Sequence, residues 1–332
     1  MSIENVFPFR TASGFRPLKG LHVGHYGAVL RDVCSLQYAR ESCSFVFIAD
    51  HHSRSSWSER SDFVNSRKRS TELTKQLMAV GVDPHYSVIY RQSDVPELFE
   101  FMWFLAGITS HGSLARGHAL KAAGNPTAGI YLYPLLMIAD ILSLRATHVI
   151  VGRDQTIHVD LARDVAEKLC KRLGPDFLPI PNYHRPDPLL YRGIRSADDG
   201  GKMDSEVGND IPLFDDEDAV HNRISRIATP AIQWGQPLPI EGSNLLAYAE
   251  ALGGNDVRRA FVADFEGGQI GFKDAKERLF ALFMDVMGSR RAAYARISDR
   301  DAEEVLRLGG QRAREAVAGL IADVRHHVGV SI

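Results

Sequence analysis

Helical and strand-like apolar patterns alternate along the first half of the chain, and this order constrains the fold more than any other feature. After a helical spacing that begins at Tyr26, residues 45–49 form a short apolar run typical of a buried strand. The order recurs: a helical pattern closed by Gly81 precedes a strand-like run at 87–90, and a third helix precedes another run at 148–151. Such alternation predicts a mostly parallel sheet with helices on both faces.

The second half of the chain lacks strong strand patterns. Residues 193–210 are rich in Gly, Asp and Ser and predict a mobile loop. We therefore expect an α/β domain over residues 1–211 and an all-helical domain over residues 212–332. Because ligands of open α/β sheets bind at the carboxyl ends of the strands, we expect the functional site there. Helical spacing continues in four later segments: 245–251, 257–265, 275–287 and 301–328.

Composition excludes several classes of protein. The 332 residues include 39 Lys and Arg against 41 Asp and Glu, with 45% hydrophobic residues, as in a folded globular chain. Three cysteines without CxxC spacing argue against a disulfide framework, a zinc site or a dithiol motif. The longest apolar stretch, residues 129–144, is too short to span a membrane, and residues 1–6 are unlike a secretory leader. We expect a cytoplasmic protein without a membrane partner.

The first motif with chemical meaning is Leu21-His22-Val23-Gly24-His25-Tyr26, directly ahead of an amphipathic helix. Gly24 allows a ligand to approach the backbone, and a helix N-terminus with two imidazoles suits phosphate oxygens. The alternative is an ordinary helix start with two surface histidines.

A second motif, Gly200-Gly201-Lys202-Met203-Asp204-Ser205-Glu206, lies in the predicted loop. A glycine-hinged loop with one lysine can close over a polyphosphate and bring positive charge to the leaving group. It is not a P-loop, because the chain contains no GxxxxGK[ST] pattern. An acidic surface loop is the alternative interpretation.

A third motif lies on the predicted helix that precedes residues 148–151. Tyr133, Met137 and Asp140 are spaced by four and three residues, so they share one helix face and form an apolar wall that ends in a carboxylate. A buried carboxylate needs a donor, which either a ligand N–H or the neighbouring Arg145 would supply.

Together, these segments resemble the tryptophanyl-tRNA synthetase family of class I aminoacyl-tRNA synthetases, in order and over nearly the whole chain. The resemblance implies a Rossmann-like parallel-sheet catalytic domain, a helical domain on the anticodon side of tRNA, and a homodimer. The matching segments are 13–17 with the HIGH-like 21–26, the QSxVPE-like 92–97, 114–121, 133–140 with 152–155 and His158, the KMSKS-like Lys202-Met203, and 309–315.

The resemblance also implies an activity with ATP, Mg²⁺, L-tryptophan and tRNA(Trp), and roles for individual residues. His22, His25, Lys121 and Lys202 would be catalytic, and no resident metal site is expected. The implied ATP-binding residues are Arg16, Gly24, His25, Gly152, Asp154, Ile194, Lys202 and Met203. The implied tryptophan-binding residues are Gly14, Tyr133, Met137, Asp140 and Gln155, with Asp140 accepting the indole N–H.

Met137 separates this chain from the tyrosyl-tRNA synthetases, which resemble it but usually have Gln at that position. An apolar methionine beside Asp140 suits an indole with one N–H, whereas a phenol would require more polar partners.

The chain also departs from the family pattern. Its loop reads Lys-Met-Asp-Ser-Glu instead of Lys-Met-Ser-Lys-Ser, so Ser205 replaces a lysine while Asp204 and Glu206 add negative charge beside a polyphosphate. Leu18-Lys19 replaces the usual small polar pair. These departures leave open a diverged copy that activates an indole amino acid for biosynthesis or analogue resistance. A non-catalytic tryptophan or tRNA sensor is a further alternative.

Because the net charge is near zero, any contact with tRNA must be confined to a part of the surface where positive charge is concentrated. Arginines concentrate in the helical half, where they form either a tRNA surface or a solvated helix face: Arg290, Arg291, Arg296, Arg307, Arg312, Arg314 and Arg325.

Overall fold

The computed structural model describes residues 9–39, 42–54, 65–115, 127–186, 189–194, 201–233, 235–268 and 270–330. Within them, five parallel strands form one sheet in the order β3-β2-β1-β4-β5. The predicted parallel sheet is thus confirmed. The strands are β1 (Phe9–Phe15), β2 (Ser42–Ile48), β3 (Ser87–Arg91), β4 (His148–Val149) and β5 (Asn182–Tyr183).

Helices follow most strands, and the last four described helices run without an intervening strand. A five-residue π-helical segment, Tyr26–Leu30, joins the first two helices. The helices are α1 (Val23–His25), α2 (Arg31–Ala39), α3 (Ser66–Val80), α4 (Glu97–Ala106), α5 (His111–Leu114), α6 (Ala128–Ser143), α7 (Thr156–Leu173), α8 (Glu217–Ser225), α9 (Asn244–Gly267), α10 (Phe272–Tyr294) and α11 (Asp299–His327).

The sheet separates two hydrophobic cores because successive strand residues point to opposite faces. Val46 and Ile48 of β2 pack in one core with α3, α9 and α10. Phe45 and Phe47 of the same strand pack in the other core with α4, α6 and α7. Both faces of the sheet are therefore covered, which explains why these strands read as continuous apolar runs.

Helix α11 returns from the helical half and packs directly on β3. A methyl group at Gly309 would overlap the carbonyl oxygen of Ile89, so the contact requires glycine. Arg91 of β3 donates to Glu303 of α11 at 2.7 Å. The C-terminal helix is therefore anchored to the α/β part of the chain.

Most of the arginines considered for tRNA contact have internal partners instead. Arg314 and Arg325 of α11 form ion pairs with Glu97 and Glu100 of α4. Arg312 donates to the carbonyl of Pro84 at 2.9 Å, and Arg290 donates to that of Val80 at 3.0 Å. Arg291 donates to the carbonyl of Leu213 at 2.8 Å, whereas Arg307 pairs with Glu304 of its own helix. Five of these arginines link separate elements, a role that neither sequence interpretation anticipated, whereas Arg307 lies on a solvated helix face as the second interpretation predicted.

Candidate active site

A cleft of about 530 Å³ opens at the carboxyl ends of the central strands. It is lined by the segment after β1, by α1, by one face of α6, by the segment after β4 and by residues 202–206. We call the part lined by His52, Tyr133 and Met137 the helix end, and the part lined by His22, His25 and Lys202 the loop end. The site therefore lies where the strand order predicts it.

His22 and His25 at the loop end hold each other in a reciprocal cap of α1. The backbone N–H of His25 donates to Nδ1 of His22 at 3.2 Å, and the N–H of His22 donates to Nδ1 of His25 at 3.4 Å. Their rings stack with centroids 3.6 Å apart. Because each Nδ1 accepts a hydrogen bond, a neutral ring carries its proton on Nε2 and can donate it to a ligand.

Both imidazoles are held in the neutral form. Burial lowers the pKa of His22 to about 3, and the nearby positive charge of Lys202 acts in the same direction. Burial also lowers the pKa of His25 well below its ordinary value, with His22, Lys202 and Arg16 contributing. His22 is only 4% exposed, so the interpretation of two surface histidines is wrong for this residue.

Gly24 and Met203 bring the helix start and the loop into contact. The N–H of Gly24 points to the sulfur of Met203 at 3.3 Å. A Cβ at Gly24 would lie 3.0 Å from Nδ1 of His22, so a side chain there would press on the histidine pair. Met203 is itself held in place, because its N–H donates to the carbonyl of Tyr191 at 2.8 Å.

Lys202 forms an ion pair with Asp154 across the loop end. Its Nζ lies 2.6 Å from Oδ2 of Asp154, and Gln155 donates to the same oxygen at 2.6 Å. Burial alone would raise the pKa of Asp154, but Lys202 and Gln155 hold it below its ordinary value. Lys202 and Asp154, two residues implied to bind ATP, thus contact each other in this structure.

Asp204 caps the turn that follows Lys202 and Met203. Its carboxylate accepts the N–H of Glu206 at 2.8 Å, and its own N–H donates to Oδ1 of Asn209 at 2.7 Å. Asp and Ser both serve as such caps, so Asp204 can fill a structural position that serine occupies in the Lys-Met-Ser-Lys-Ser pattern. Ser205 donates to the carbonyl of Gly20 at 3.4 Å.

Asp140 lies behind the helix end and is fully buried. Gln92 donates to both of its oxygens, at 2.9 and 2.8 Å, and Nε2 of His52 lies 3.0 Å from Oδ2. Burial raises the pKa of Asp140, although these hydrogen bonds oppose the shift. Arg145 is not its partner, because Arg145 binds Asp323 at 3.0 Å and the carbonyl of Phe177 at 2.8 Å.

His52 and Gln92 are therefore site residues that the sequence interpretation did not single out. His52 lines the cleft directly, whereas Asp140 reaches it through His52. Gln92 belonged to the matched segment 92–97 without an assigned role. His52 follows strand β2 at the carboxyl edge of the sheet, which is the one sequence signal that marks it.

The remaining implied residues fall into three groups. Gly14, Arg16, Tyr133, Met137, Gly152 and Gln155 line the cleft, and the hydroxyl of Tyr133 lies 3.0 Å from Nε2 of His158. Ile194 is buried, and its backbone N–H and carbonyl bond Asn209 and Ala228 rather than facing the cleft. Lys121 lies outside the described residues.

A nucleotide-sized cleft at the carboxyl ends of a parallel sheet, with a histidine pair at a helix start, defines a class of nucleotide-binding α/β enzymes. The family described as "tRNA synthetases class I (W and Y)" matches residues 5–286. The chain belongs to this family. The resemblance drawn from its motifs is therefore confirmed.

Individual relatives extend over nearly the whole chain. Across 97% of its length it is 33% identical to the "Tryptophan--tRNA ligase" of Xanthomonas campestris pv. campestris, of which 76% is covered. It is 30% identical to the protein of the same name from Pseudomonas aeruginosa, over 97% of this chain and 74% of that one. A crystal structure of tryptophanyl-tRNA synthetase from Campylobacter jejuni, complexed with ADP and tryptophan, superposes with a TM-score of 0.78. That comparison has 28% identity and covers 96% of this chain and 99% of the other.

Neither a metal-binding cluster nor a membrane-spanning helix occurs among the described residues. No group of three or more His, Cys, Asp or Glu side chains among them is arranged to hold a metal ion. In the same part of the chain, every helix is too short or too polar to cross a bilayer.

Proposed function

We propose that this chain is a tryptophan--tRNA ligase, which activates L-tryptophan with ATP and transfers the aminoacyl group to tRNA(Trp). The observation that carries the proposal is the cleft itself, which joins a neutral histidine pair and a loop lysine at one end to an apolar wall backed by a buried carboxylate at the other. Family membership and the names of the relatives support the same activity.

In the first step the tryptophan carboxylate attacks the α-phosphate of ATP, and the bond to the bridging oxygen of pyrophosphate breaks. The nucleophile is already ionised, so no protein base is needed, and the residues act by positioning and by stabilising charge. His22 and His25 donate from Nε2 to phosphate oxygens. Lys202 leaves Asp154 to bind the β- and γ-phosphates, while Asp154 and Gly152 hold the ribose. For Lys121 we retain the phosphate-binding role that the resemblance implies.

The helix end selects the side chain of the amino acid. Met137 packs against the indole ring, and the ring N–H reaches the acceptor group formed by Asp140 and His52. Oδ2 of Asp140 already accepts hydrogen bonds from Gln92 and His52, whereas Oδ1 accepts one from Gln92, so the second lone pair of Oδ1 is the one that can accept an indole N–H. Tyr133 and Gln155 contact the ammonium group.

Mg²⁺ would arrive with ATP. The described residues offer no closed cation site, and Mg²⁺ commonly takes most of its oxygen ligands from phosphate and water. Asp154, Asp204 and Glu206 are the carboxylates that line the loop end, and the proposal assigns none of them to the ion.

A homodimer in the cytoplasm, with residues 212–332 on the anticodon side of tRNA, completes the proposal. Apolar side chains are exposed on the neighbouring helices α4 and α6, and Trp103 is 74% exposed with Phe99 and Leu132 partly so. Exposed aromatic residues of this kind are enriched at protein interfaces. A dimer would elute at twice the chain mass of 36.8 kDa when its molar mass is measured by light scattering.

Two assays test the activity. Exchange of radioactive pyrophosphate into ATP should require tryptophan and should not proceed with tyrosine, and the purified protein should aminoacylate tRNA(Trp). Exchange with tyrosine in place of tryptophan would refute the proposal. Efficient exchange without aminoacylation would identify the diverged copy, and tryptophan binding without exchange would identify a sensor.

A further inference from the structure

At the loop end, some charged side chains form an ion pair with a neighbour and others do not. Arg16, Lys19 and Lys202 are the Lys and Arg side chains that line the cleft among the described residues. Lys202 is bound to Asp154, and the acidic Asp204 and Glu206 lie on the same loop. A polyphosphate placed there meets two extra negative charges, so its binding depends on cations that remain available.

Lys19 is such a cation. It is exposed, and the described residues form no ion pair with it. It lines both the main cleft and a second cavity of about 280 Å³ that begins beneath the loop. Ser205 lines both cavities as well, so Lys19 and Ser205 mark the place where they meet.

Hydrogen bonds fix the backbone on both sides of Lys19. Ser205 donates to the carbonyl of Gly20 at 3.4 Å, and the N–H of Leu21 donates to Oε1 of Gln76 at 2.7 Å. On the other side, the N–H of Leu18 donates to the carbonyl of Arg16 at 2.9 Å. Lys19 is therefore presented from a fixed turn beside the loop, and only its side chain must move to reach a ligand.

We propose that Lys19 binds the β- and γ-phosphates of ATP and the departing pyrophosphate, and so supplies the positive charge that Ser205 does not. When the bond between the α-phosphorus and the bridging oxygen breaks, the electron pair leaves with pyrophosphate, and the Lys19 ammonium stabilises the added charge. Lys202 contributes a second cation from the loop, after it separates from Asp154. This inference rests on the proposed adenylation reaction and concerns its leaving group.

The second cavity is lined by charged side chains of both signs. Asp210 and Asp215 line that cavity, and the guanidinium of Arg223 is already bonded to the carbonyl of Gly208. Burial raises the pKa of Asp210, and a backbone hydrogen bond and the positive charge of Arg223 oppose that shift. Because Lys19 lines both cavities, its ammonium can contact the anion from the cleft at the junction of the two.

The decisive experiment compares Lys19→Met, Lys19→Arg and the control Lys68→Met, which removes an exposed lysine of α3 outside the cleft. Lys19→Met should slow tryptophan-dependent exchange about 10- to 100-fold and raise the KM for pyrophosphate, because a charge-assisted contact is lost. Lys19→Arg should retain most of the activity, and Lys68→Met all of it. The Kd for tryptophan should remain unchanged in every variant.

A second experiment restores the positive charge at position 205, which also lies at the junction of the two cavities. The double variant Lys19→Met with Ser205→Lys should recover most of the lost exchange rate, a coupling that a merely structural role would not produce. Calorimetry with inorganic pyrophosphate and Mg²⁺ measures the same contact without turnover, and Lys19→Met should weaken that binding about tenfold. Wild-type pyrophosphate binding and kinetics in Lys19→Met would overturn the inference. If the unmodified protein showed no tryptophan-dependent exchange, the adenylation reaction would be refuted instead. The pyrophosphate-binding measurement would then still test Lys19.

Discussion

The two ends of the cleft are built in opposite ways. At the helix end, Asp140 is fully buried and accepts hydrogen bonds from Gln92 and His52. At the loop end, the ion pair between Lys202 and Asp154 is open to solvent, with the lysine side chain 49% exposed. A buried carboxylate that loses its partners is costly, whereas an exposed ion pair contributes little and exchanges easily.

In the proposed function, this difference separates selection of the amino acid from its reaction with ATP. The helix end is assembled when the chain folds, so it can discriminate amino acids by their fit to a fixed acceptor. The loop end holds its lysine on an internal carboxylate, and in the proposed reaction a polyphosphate competes for that lysine. Substitutions at the helix end should therefore change the use of tryptophan, and substitutions at the loop end should change the use of ATP.

The largest effect should follow from Asp140→Asn. The amide keeps the shape of the carboxylate but removes its charge and one acceptor oxygen, so the indole N–H loses its partner. A site that hydrogen-bonds a substrate N–H rejects an analogue without that group by about 10⁴-fold. The unmodified protein should show a preference of about that size for tryptophan over an analogue whose ring lacks the N–H, and Asp140→Asn should lose most of it through a lower kcat/KM for tryptophan in the exchange assay, with the Kd for ATP nearly unchanged.

Ser143→Ala is the matched control for this prediction. Ser143 is buried on the same helix, and its hydroxyl has no hydrogen-bond partner among the described residues. Removing it should leave both the kinetics and the melting temperature close to those of the unmodified protein. If Asp140→Asn weakens ATP binding as much as tryptophan use, the assignment of Asp140 to the indole is wrong.

At the loop end, Lys202→Met should impair the use of ATP and leave tryptophan binding unchanged. Loss of a cation that contacts the phosphates should lower kcat for exchange about 10²- to 10³-fold, and the Kd for tryptophan should stay the same. Lys202→Arg keeps the charge and should be less impaired. An equal effect of Lys202→Met on tryptophan binding would remove the distinction between the two ends.

A smaller effect concerns the stability of the protein, which should depend on pH through His22 of the histidine pair. The pKa of His22 is about 3 in the folded protein against an ordinary 6.5, so below pH 6.5 the unfolded chain binds a proton that the folded chain does not. The free energy of unfolding should therefore fall as the pH drops from 6.5 towards 3, by up to about 1.4 kcal/mol per pH unit from this residue.

Urea unfolding at pH 7, 6 and 5 measures this slope, and His22→Gln provides a variant that does not titrate. The difference in stability between the unmodified protein and His22→Gln should change steadily across the series. Parallel stability curves would show that His22 is not held neutral. In the same range, exchange activity should show no inflection from His22 or His25, since both stay neutral.

The sequence predicts β2, β3 and β4 because their residues form apolar runs, but it does not reveal β5 or the central strand β1. Strand β1 contains Thr11 and Ser13, whose hydroxyls are buried and bonded to Ser44 and to the carbonyl of Ile150. Such polar side chains are compatible with a central strand only because partners distant in sequence satisfy them. Their pairing is a property of the folded chain.

The same limit applies to the site. Residues of one helix face, such as Tyr133 and Met137, follow from their spacing. The partners of Asp140 do not, because Gln92 and His52 are 48 and 88 residues away along the chain. Arg145, only five positions from Asp140 in the sequence, binds elsewhere. Sequence proximity on a helix therefore identified the wall of the cleft but not the network behind it.

The smallest predicted effect concerns Asp204, which combines a cap and a charge at the loop end. Asp204→Ser keeps an oxygen that accepts the N–H of Glu206 and removes the negative charge, so the KM for ATP should fall about two- to threefold at low salt. Asp204→Ala removes the charge and also the cap, whose loss costs about 1 kcal/mol and loosens the turn that carries Lys202. Its KM for ATP should therefore remain above that of Asp204→Ser, and the benefit of the serine should shrink as salt screens the charge. Identical ATP kinetics in the two variants would show that the turn needs no cap, and the loop end would then depend on charge alone.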